Sequence, residues 1–312
     1  MRAIRLHEYG PAGNLRLEEV PDLVPGDGEV RVRISAVGVQ LLDTWLRAGR
    51  QVGPHPAPSL PAVLGGEVAG VVDAVGAGMP EDLLGRRVAV GHGGYAEYVL
   101  ARPDDLYPLP DGLGEEKAVA MLNTGVTAHA VWDLADAGPG DVVLVTAAAG
   151  GIGGLLVQLA KAAGATVVGL AGGEEKLKLV RDAGADIAVD YREPGWAERV
   201  GTTVTVALDG VGGAIAADAW ALAERGVSFG AASEQGDIGG ELPEGVRSLF
   251  TSPVMAEFGE PGGFRRHVAR AFAAAAEGRV DMPVTTYPLG EAAEAHRAME
   301  NRETTGKVVL VP

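Results

Sequence analysis

The stretch at 142–153, VVLVTAAAGGIG, constrains the fold of this chain more than any other, because a β-branched run breaks there into small residues and glycines. The residues that follow, LLVQLAKAAGA at 155–165, read as a helix, and TVVGL at 166–170 is a second apolar run. Strand, tight turn, helix and strand make one βαβ unit. Glycine in such a turn lets backbone come close to a ligand, and the helix N-terminus presents bare N–H groups that favour negative charge. The pattern therefore points to a dinucleotide pyrophosphate site. Ala148 stands where the usual fingerprint has its first glycine, so the motif takes its weight from the two strand-like runs on either side.

At 312 residues the chain is long enough for two domains or one large one. A hydrophobic content of 47% with 47 glycines indicates a turn-rich globular α/β protein. The net charge of −16 opposes nonspecific binding to nucleic acid or to anionic membranes. No apolar run reaches the roughly 18 residues that a membrane span needs. The opening MRAIRLHEYG has the look of a first strand and not of a signal peptide, so a cytoplasmic location is expected. With no cysteine, disulfides, thiol nucleophiles and Cys-ligated metals are all excluded. The six histidines, at 7, 55, 92, 129, 267 and 296, show no metal-ligand spacing. They read as surface or satisfied core residues, and no metal site is expected.

The first hundred or so residues read as β-rich: EVRVRISAVGV at 29–39 alternates charged and apolar residues as a half-buried strand does. From about Glu115 helices and strands alternate. The expected helices lie near 127–135, 151–163, 174–183 and 214–223, and the strands at 142–146, 166–170, 187–189, 204–208 and 227–230. Such alternation implies a doubly wound parallel sheet with helices on both faces and the glycine turn at its carboxyl edge. The tail departs from it, with helices at 263–277 and 291–302 and strands at 284–287 and 307–311.

In a dinucleotide site an acidic residue after the second strand engages the ribose hydroxyls and selects NAD. Here the strand ends GLAGGEEK and the expected acidic position is Ala171, which permits a 2′-phosphate. Lys176 lies just beyond, and Tyr191 and Arg192 follow the third strand, all within reach of that corner. NADPH is the expected cofactor.

Several motifs, in order along nearly the whole chain, resemble the medium-chain dehydrogenase/reductase superfamily and within it the zinc-free quinone oxidoreductase branch, the zeta-crystallin-like proteins. They are GVQLLDTWLRAG at 38–49, LGGEVAGVV at 64–72, GGYAEYV at 93–99, NTGVTAHAVW at 123–132, TAAAGGIGG at 146–154, DYRE at 190–193 and NRETTGKVVLVP at 301–312. The resemblance implies a GroES-like β-rich catalytic domain from 1–118 and 263–312, a Rossmann NADP-binding domain from 119–262 between them, and a homodimer. Zinc-dependent relatives carry metal ligands at the positions of Gln40 and Gly66 and a four-cysteine lobe before GGYAEYV, and this chain has none of these.

Carried over by position, Thr127 and the turn Ala149, Gly150, Gly151, Ile152 and Gly153 contact the cofactor's diphosphate and nicotinamide side. Lys176 and Tyr191 match the 2′-phosphate contacts, and Arg302 matches a C-terminal arginine that reaches the cofactor. Gln40, Asp43 and Trp45 fall where the quinone reductases usually have Asn, Asp and Tyr beside the nicotinamide. Trp45 has no phenol proton to give. Asp43 reads equally as a helix N-cap residue, and Glu67 reads as a structural partner.

The activity implied is direct hydride transfer from NADPH to a quinone or related conjugated carbonyl, a small-molecule acceptor, with no dedicated general acid identified. An enoyl or 2-alkenal reductase of the same superfamily is the nearest alternative. A noncatalytic NADPH-binding sensor or structural protein is another. The Tyr-x-x-x-Lys pair of short-chain reductases is absent at all six tyrosines.

Overall fold

The computed structural model describes residues 1–52, 55–230 and 241–312. Two compact units emerge, Met1–Asn123 with Pro283–Pro312, and Thr124–Met282.

The first unit begins with β1 (Arg2–Leu6) and β2 (Leu15–Glu19), an antiparallel pair. Its centre is β3 (Val30–Val39), the alternating run of the sequence. Its first residues alternate between core and periphery, whereas the last four are all buried. The short helix α1 (Leu41–Arg47) follows, then β4 (Val68–Val75), β5 (Arg87–Val90), β6 (Tyr98–Ala101), β7 (Leu106–Pro108) and α2 (Glu115–Ala120). β3 pairs antiparallel with β4, with register shifts at Arg31/Val32 and Ile34/Ala36, irregularities that bend a strand. Val30, Val32, Ile34, Val68, Val88 and Tyr95 fill the core. A π turn, Met121–Gly125, continues α2 at the end of the unit.

The second unit carries the alternation that the sequence shows. Its elements are α3 (Val126–Ala135), β8 (Val142–Val145), α4 (Gly151–Ala162), β9 (Thr166–Ala171), α5 (Glu174–Asp182), β10 (Ile187–Asp190), β11 (Val204–Asp209), α6 (Gly213–Ala221), β12 (Ala223–Ser228), β13 (Val246–Ser248), α7 (Pro253–Phe258) and α8 (Gly263–Ala276). The six strands are parallel in the order β10-β9-β8-β11-β12-β13. Strand order reverses between β8 and β11, so the chain leaves the sheet in opposite directions there and opens a crevice at the carboxyl ends. The glycine turn sits at that point. β12 starts earlier than the run at 227–230 suggests, because pairing with β11 carries Ala223, Arg225 and Gly226 into the sheet. α8 packs on α3 within this unit.

The tail returns to the first unit: β14 (Val284–Pro288), α9 (Ala292–Glu300) and β15 (Lys307–Val311). β15 lies between β14, to which it is parallel, and β3, to which it is antiparallel. No helix among the described residues is long and apolar enough to cross a membrane.

Candidate functional site

In the second unit the turn between β8 and α4 supplies the anion-binding geometry. Gly150 is the N-cap of α4, no side chain caps the helix, and the bond at its start runs from Gly154 N–H to the Gly150 carbonyl at 2.8 Å. The N–H groups of Gly151, Ile152 and Gly153 are thus left without helical acceptors. Ala147 takes a left-handed conformation, φ 48°, which costs a non-glycine residue energy and is found at functional turns. A Cβ on Gly153 would lie 2.2 Å from the Ala147 carbonyl oxygen, so only glycine lets α4 close onto the turn. At Gly150 the same distance is 3.2 Å, a far looser fit. Thr127 lies half-buried in the first turn of α3.

Asp209, at the end of β11, organises the other side of the switch point. Its buried carboxylate accepts from Thr146 Oγ1 at 2.7 Å, from the Val211 N–H at 3.2 Å and from the Gly212 N–H at 2.9 Å. Burial raises its pKa against these bonds. Neither Thr146 nor Asp209 is a site residue that the sequence suggests; the Asp-Gly step at the end of a strand-like run is the one signal that marks Asp209.

β9 ends at the buried Ala171, with no carboxylate there. Beyond it, Gly173 (φ 91°) donates its N–H to Asp190 Oδ2 at 2.9 Å, at the end of the neighbouring β10. Tyr191 Oη and the Arg192 side chain lie over Gly172, 3.1 and 3.2 Å from where its Cβ would be. Arg192 also grips Asp190 at both oxygens, Nε to Oδ1 at 3.1 Å and Nη2 to Oδ2 at 2.8 Å, and holds its carboxyl well below the usual carboxylate range. The Asp190 carboxylate at this corner is therefore taken up by an ion pair. Lys176 stands in the first turn of α5. Free helix N–H groups, a close-packed glycine and an acid-free strand end with Tyr191 and Lys176 alongside fit an NADPH molecule.

In the first unit α1 gathers the other candidates. Gln40 is its N-cap and Asp43 its third residue; Asp43 Oδ2 accepts the Gln40 N–H at 2.9 Å. The N-cap is thus Gln40 and not Asp43, which holds the N3 place of a capping box. Asp43 is nearly fully buried, and Tyr95 Oη donates to the same oxygen at 2.8 Å. Burial raises Asp43 to about 6, against these two bonds. Trp45 is half-buried, with the Arg50 guanidinium 5.3 Å from its ring centroid. Arg302 follows α9 with φ 60° and is exposed, in the first unit, whereas the glycine turn belongs to the second.

Two ion pairs lie in the same unit, one buried on both sides and one between a buried arginine and an exposed glutamate. Lys307 Nζ meets Glu67 Oε1, whose other oxygen accepts from Asn123 Nδ2 at 2.9 Å, so Glu67 has the structural partners that the sequence suggests. Arg47 Nη2 lies 2.5 Å from Glu300 Oε1, and its Nη1 lies 3.4 Å from Nδ1 of the buried His296. His296 Nε2 is 2.9 Å from Tyr95 Oη. Burial and the Arg47 charge lower His296 to about 3. One histidine departs from the satisfied-core reading: His129 on α3 is buried and neither ring nitrogen has a hydrogen-bond partner among the described residues. Burial lowers it to about 4. Its helix face, with His at a position that asks for an apolar residue, looks ordinary in sequence.

Comparison with known proteins agrees with this architecture. The family model for the alcohol dehydrogenase GroES-like domain matches residues 26–111, and that for zinc-binding dehydrogenase matches 183–310. Among the described residues no group of three or more His, Cys, Asp or Glu could hold a metal ion. The chain is 33% identical to a quinone oxidoreductase of Pseudomonas aeruginosa, covering 100% of this chain and 99% of that protein. It is 34% identical to a 2-haloacrylate reductase of a Burkholderia species, covering 98% of each. The solved Escherichia coli quinone oxidoreductase complexed with NADPH superposes over the full length of both chains with a TM-score of 0.86 at 29% identity. A mycobacterial structure complexed with NADPH does so with a TM-score of 0.85 at 35% identity. A GroES-like unit completed by its tail, a six-stranded parallel sheet and end-to-end likeness to these proteins lead to one assignment. The chain belongs to the medium-chain dehydrogenase/reductase superfamily, among its quinone oxidoreductase-like members.

Proposed function

We propose that this protein is an NADPH-dependent oxidoreductase that reduces a quinone without zinc. The observation that carries the reading is the strand end at Ala171. It has no acid to repel a 2′-phosphate, Lys176 and Tyr191 stand beside it, and the bare N–H groups of Gly151, Ile152 and Gly153 await the diphosphate. When bound, NADPH supplies the hydride. Thr127 and the turn from Ala149 to Gly153 hold its diphosphate and nicotinamide side and Lys176 and Tyr191 its 2′-phosphate, while Arg302 stands at the place of the family's C-terminal cofactor arginine. The unit Thr124–Met282 is assigned the cofactor, and the unit formed by Met1–Asn123 and Pro283–Pro312 the acceptor.

In the acceptor unit Gln40, Asp43 and Trp45 form the candidate site. The Gln40 carboxamide can donate to an acceptor oxygen as negative charge develops there. Trp45 shapes the site and gives no proton. Zinc independence is supported by the absence of cysteine and by Gln40 and Gly66 at the family's ligand positions. A cytoplasmic homodimer, which the family resemblance implies, completes the proposal. The test is oxidation of NADPH with 1,4-benzoquinone, beside NADH and beside a 2-alkenal. The expected result is turnover with the quinone and a preference for NADPH. Turnover with the alkenal alone, or binding without turnover on either, overturns the reading.

A further inference from the structure

Reduction of a quinone oxygen by hydride consumes one proton, and the candidate site named so far has no group assigned to deliver it. The polar cluster buried in the first unit contains two carboxylates, Asp43 and Glu67, and two cations, Arg47 and Lys307. Glu67 is paired with Lys307, and Arg47 with the exposed Glu300, so Asp43 is the buried carboxylate without an ion pair of its own. Asp43 is faced by Tyr95 from the segment before β6, His296 from α9, Arg47 from its own helix, Glu67 from the segment before β4 and Lys307 from β15. Both bonds that it accepts, from Gln40 N–H and Tyr95 Oη, fall on Oδ2. Oδ1 accepts none from the described residues, so a proton can enter and leave there without breaking either bond.

The direction of the chain is set by its far end. A guanidinium can only donate, so His296 Nδ1 accepts from Arg47 and Nε2 carries the ring proton. Nε2–H then donates to Tyr95 Oη, and the Tyr95 hydroxyl proton goes to Asp43. Arg47 does not release a proton at any working pH, so the chain ends there and is no conduit. It is an orienting device.

We propose that Asp43 is the proton donor to the reduced acceptor and that Tyr95 and His296 are positioning residues that set, through this one chain, when Asp43 holds its proton. As hydride adds to the acceptor, the O–H bond at Asp43 Oδ1 breaks, an O–H bond forms on the acceptor oxygen, and water returns a proton to the carboxylate. The inference rests on the quinone-reductase reading. Its pH range is consistent with the raised value near 6 that burial gives Asp43.

The test has two readouts. Infrared spectroscopy of protein carrying ¹³C-labelled aspartate follows the protonated carboxyl C=O band of the unliganded protein with pH, and steady-state kinetics gives the pH profile of kcat. In the wild type the band, absent in Asp43→Asn, titrates near pH 6, and kcat falls as pH rises through the same range. Tyr95→Phe removes a donor to the ionised form, so both midpoints move up by ~1 pH unit while KM for NADPH stays constant. His296→Leu moves them the same way, and His296→Gln, which keeps an N–H for Tyr95, restores them. A midpoint that Tyr95→Phe leaves in place, or one that moves without the kcat limb, overturns this proposal alone. A wild type that binds NADPH by fluorescence but reduces no quinone at any pH overturns the functional reading and this proposal with it.

Discussion

Lys176 shows how one side chain decides between two cofactors that differ by a phosphate. It sits in the first turn of α5, just past the acid-free end of β9. A charge-assisted bond to a phosphate contributes about 1.5–3 kcal/mol, or roughly tenfold to a hundredfold in affinity. Lys176→Ala is therefore expected to raise KM for NADPH at least about tenfold and to leave KM for NADH nearly unchanged. Equal losses with both cofactors would remove Lys176 from the phosphate site. The sequence shows Lys176, Tyr191 and Arg192 near this corner, but not that Arg192 is spent on Asp190. That pairing depends on β10 lying beside β9, a contact between strands whose side-chain reach no spacing along the chain reveals. Tyr95 and His296 escape sequence reading for the same reason: they are 201 residues apart and meet only once the tail folds back.

At the scale of elements, the strand–turn–helix unit is where sequence and structure agree most closely. Helix α4 is expected at 151–163 and found at Gly151–Ala162; β9, expected at 166–170, is found at Thr166–Ala171. Periodicity and glycine punctuation are local signals, and these elements follow them. By contrast β13 has three residues and no apolar run, and α1 and α7 have only seven and six residues. They exist because of what they pack on. Within the glycine turn the tightest fit is at Gly153, whose missing Cβ admits the Ala147 carbonyl. Gly153→Ala should push α4 off the turn, weaken NADPH binding by an order of magnitude or more, and lower the thermal midpoint. Isothermal titration with NADPH and a melting curve check it; unchanged binding would place the diphosphate elsewhere.

At the scale of the whole molecule, buried titratable groups set how stability responds to acid. His129 and His296 are held at about 4 and about 3, below the ordinary histidine value of 6.5, so the unfolded chain binds protons there that the folded one does not. Stability from this source is full above pH 6.5 and is lost as pH falls towards 4 and then 3. Asp43 acts oppositely: raised to about 6, it takes up a proton in the fold first, and offsets part of the loss between pH 6 and 4. His129→Leu removes one of the two acid-sensitive groups along with two unpartnered ring nitrogens. It should gain about 1 kcal/mol at pH 7 and shift the acid-unfolding midpoint to lower pH, as read by circular dichroism. An unchanged acid midpoint would show that His129 is protonated in the fold without penalty.

β15 bears on the order in which the molecule can be assembled. It is the strand that joins β14 to β3, so the central sheet of the first unit stays open until residues 307–311 have left the ribosome. The six parallel strands of the second unit are all encoded by residue 248, and none of them waits for the tail. A nascent chain therefore holds β3 paired by β6 at Val30–Arg33 but uncovered at Val37–Val39 while the later-encoded unit is already able to close. The part encoded first finishes last, and through that interval the exposed edge of β3 is the segment most in need of chaperone protection.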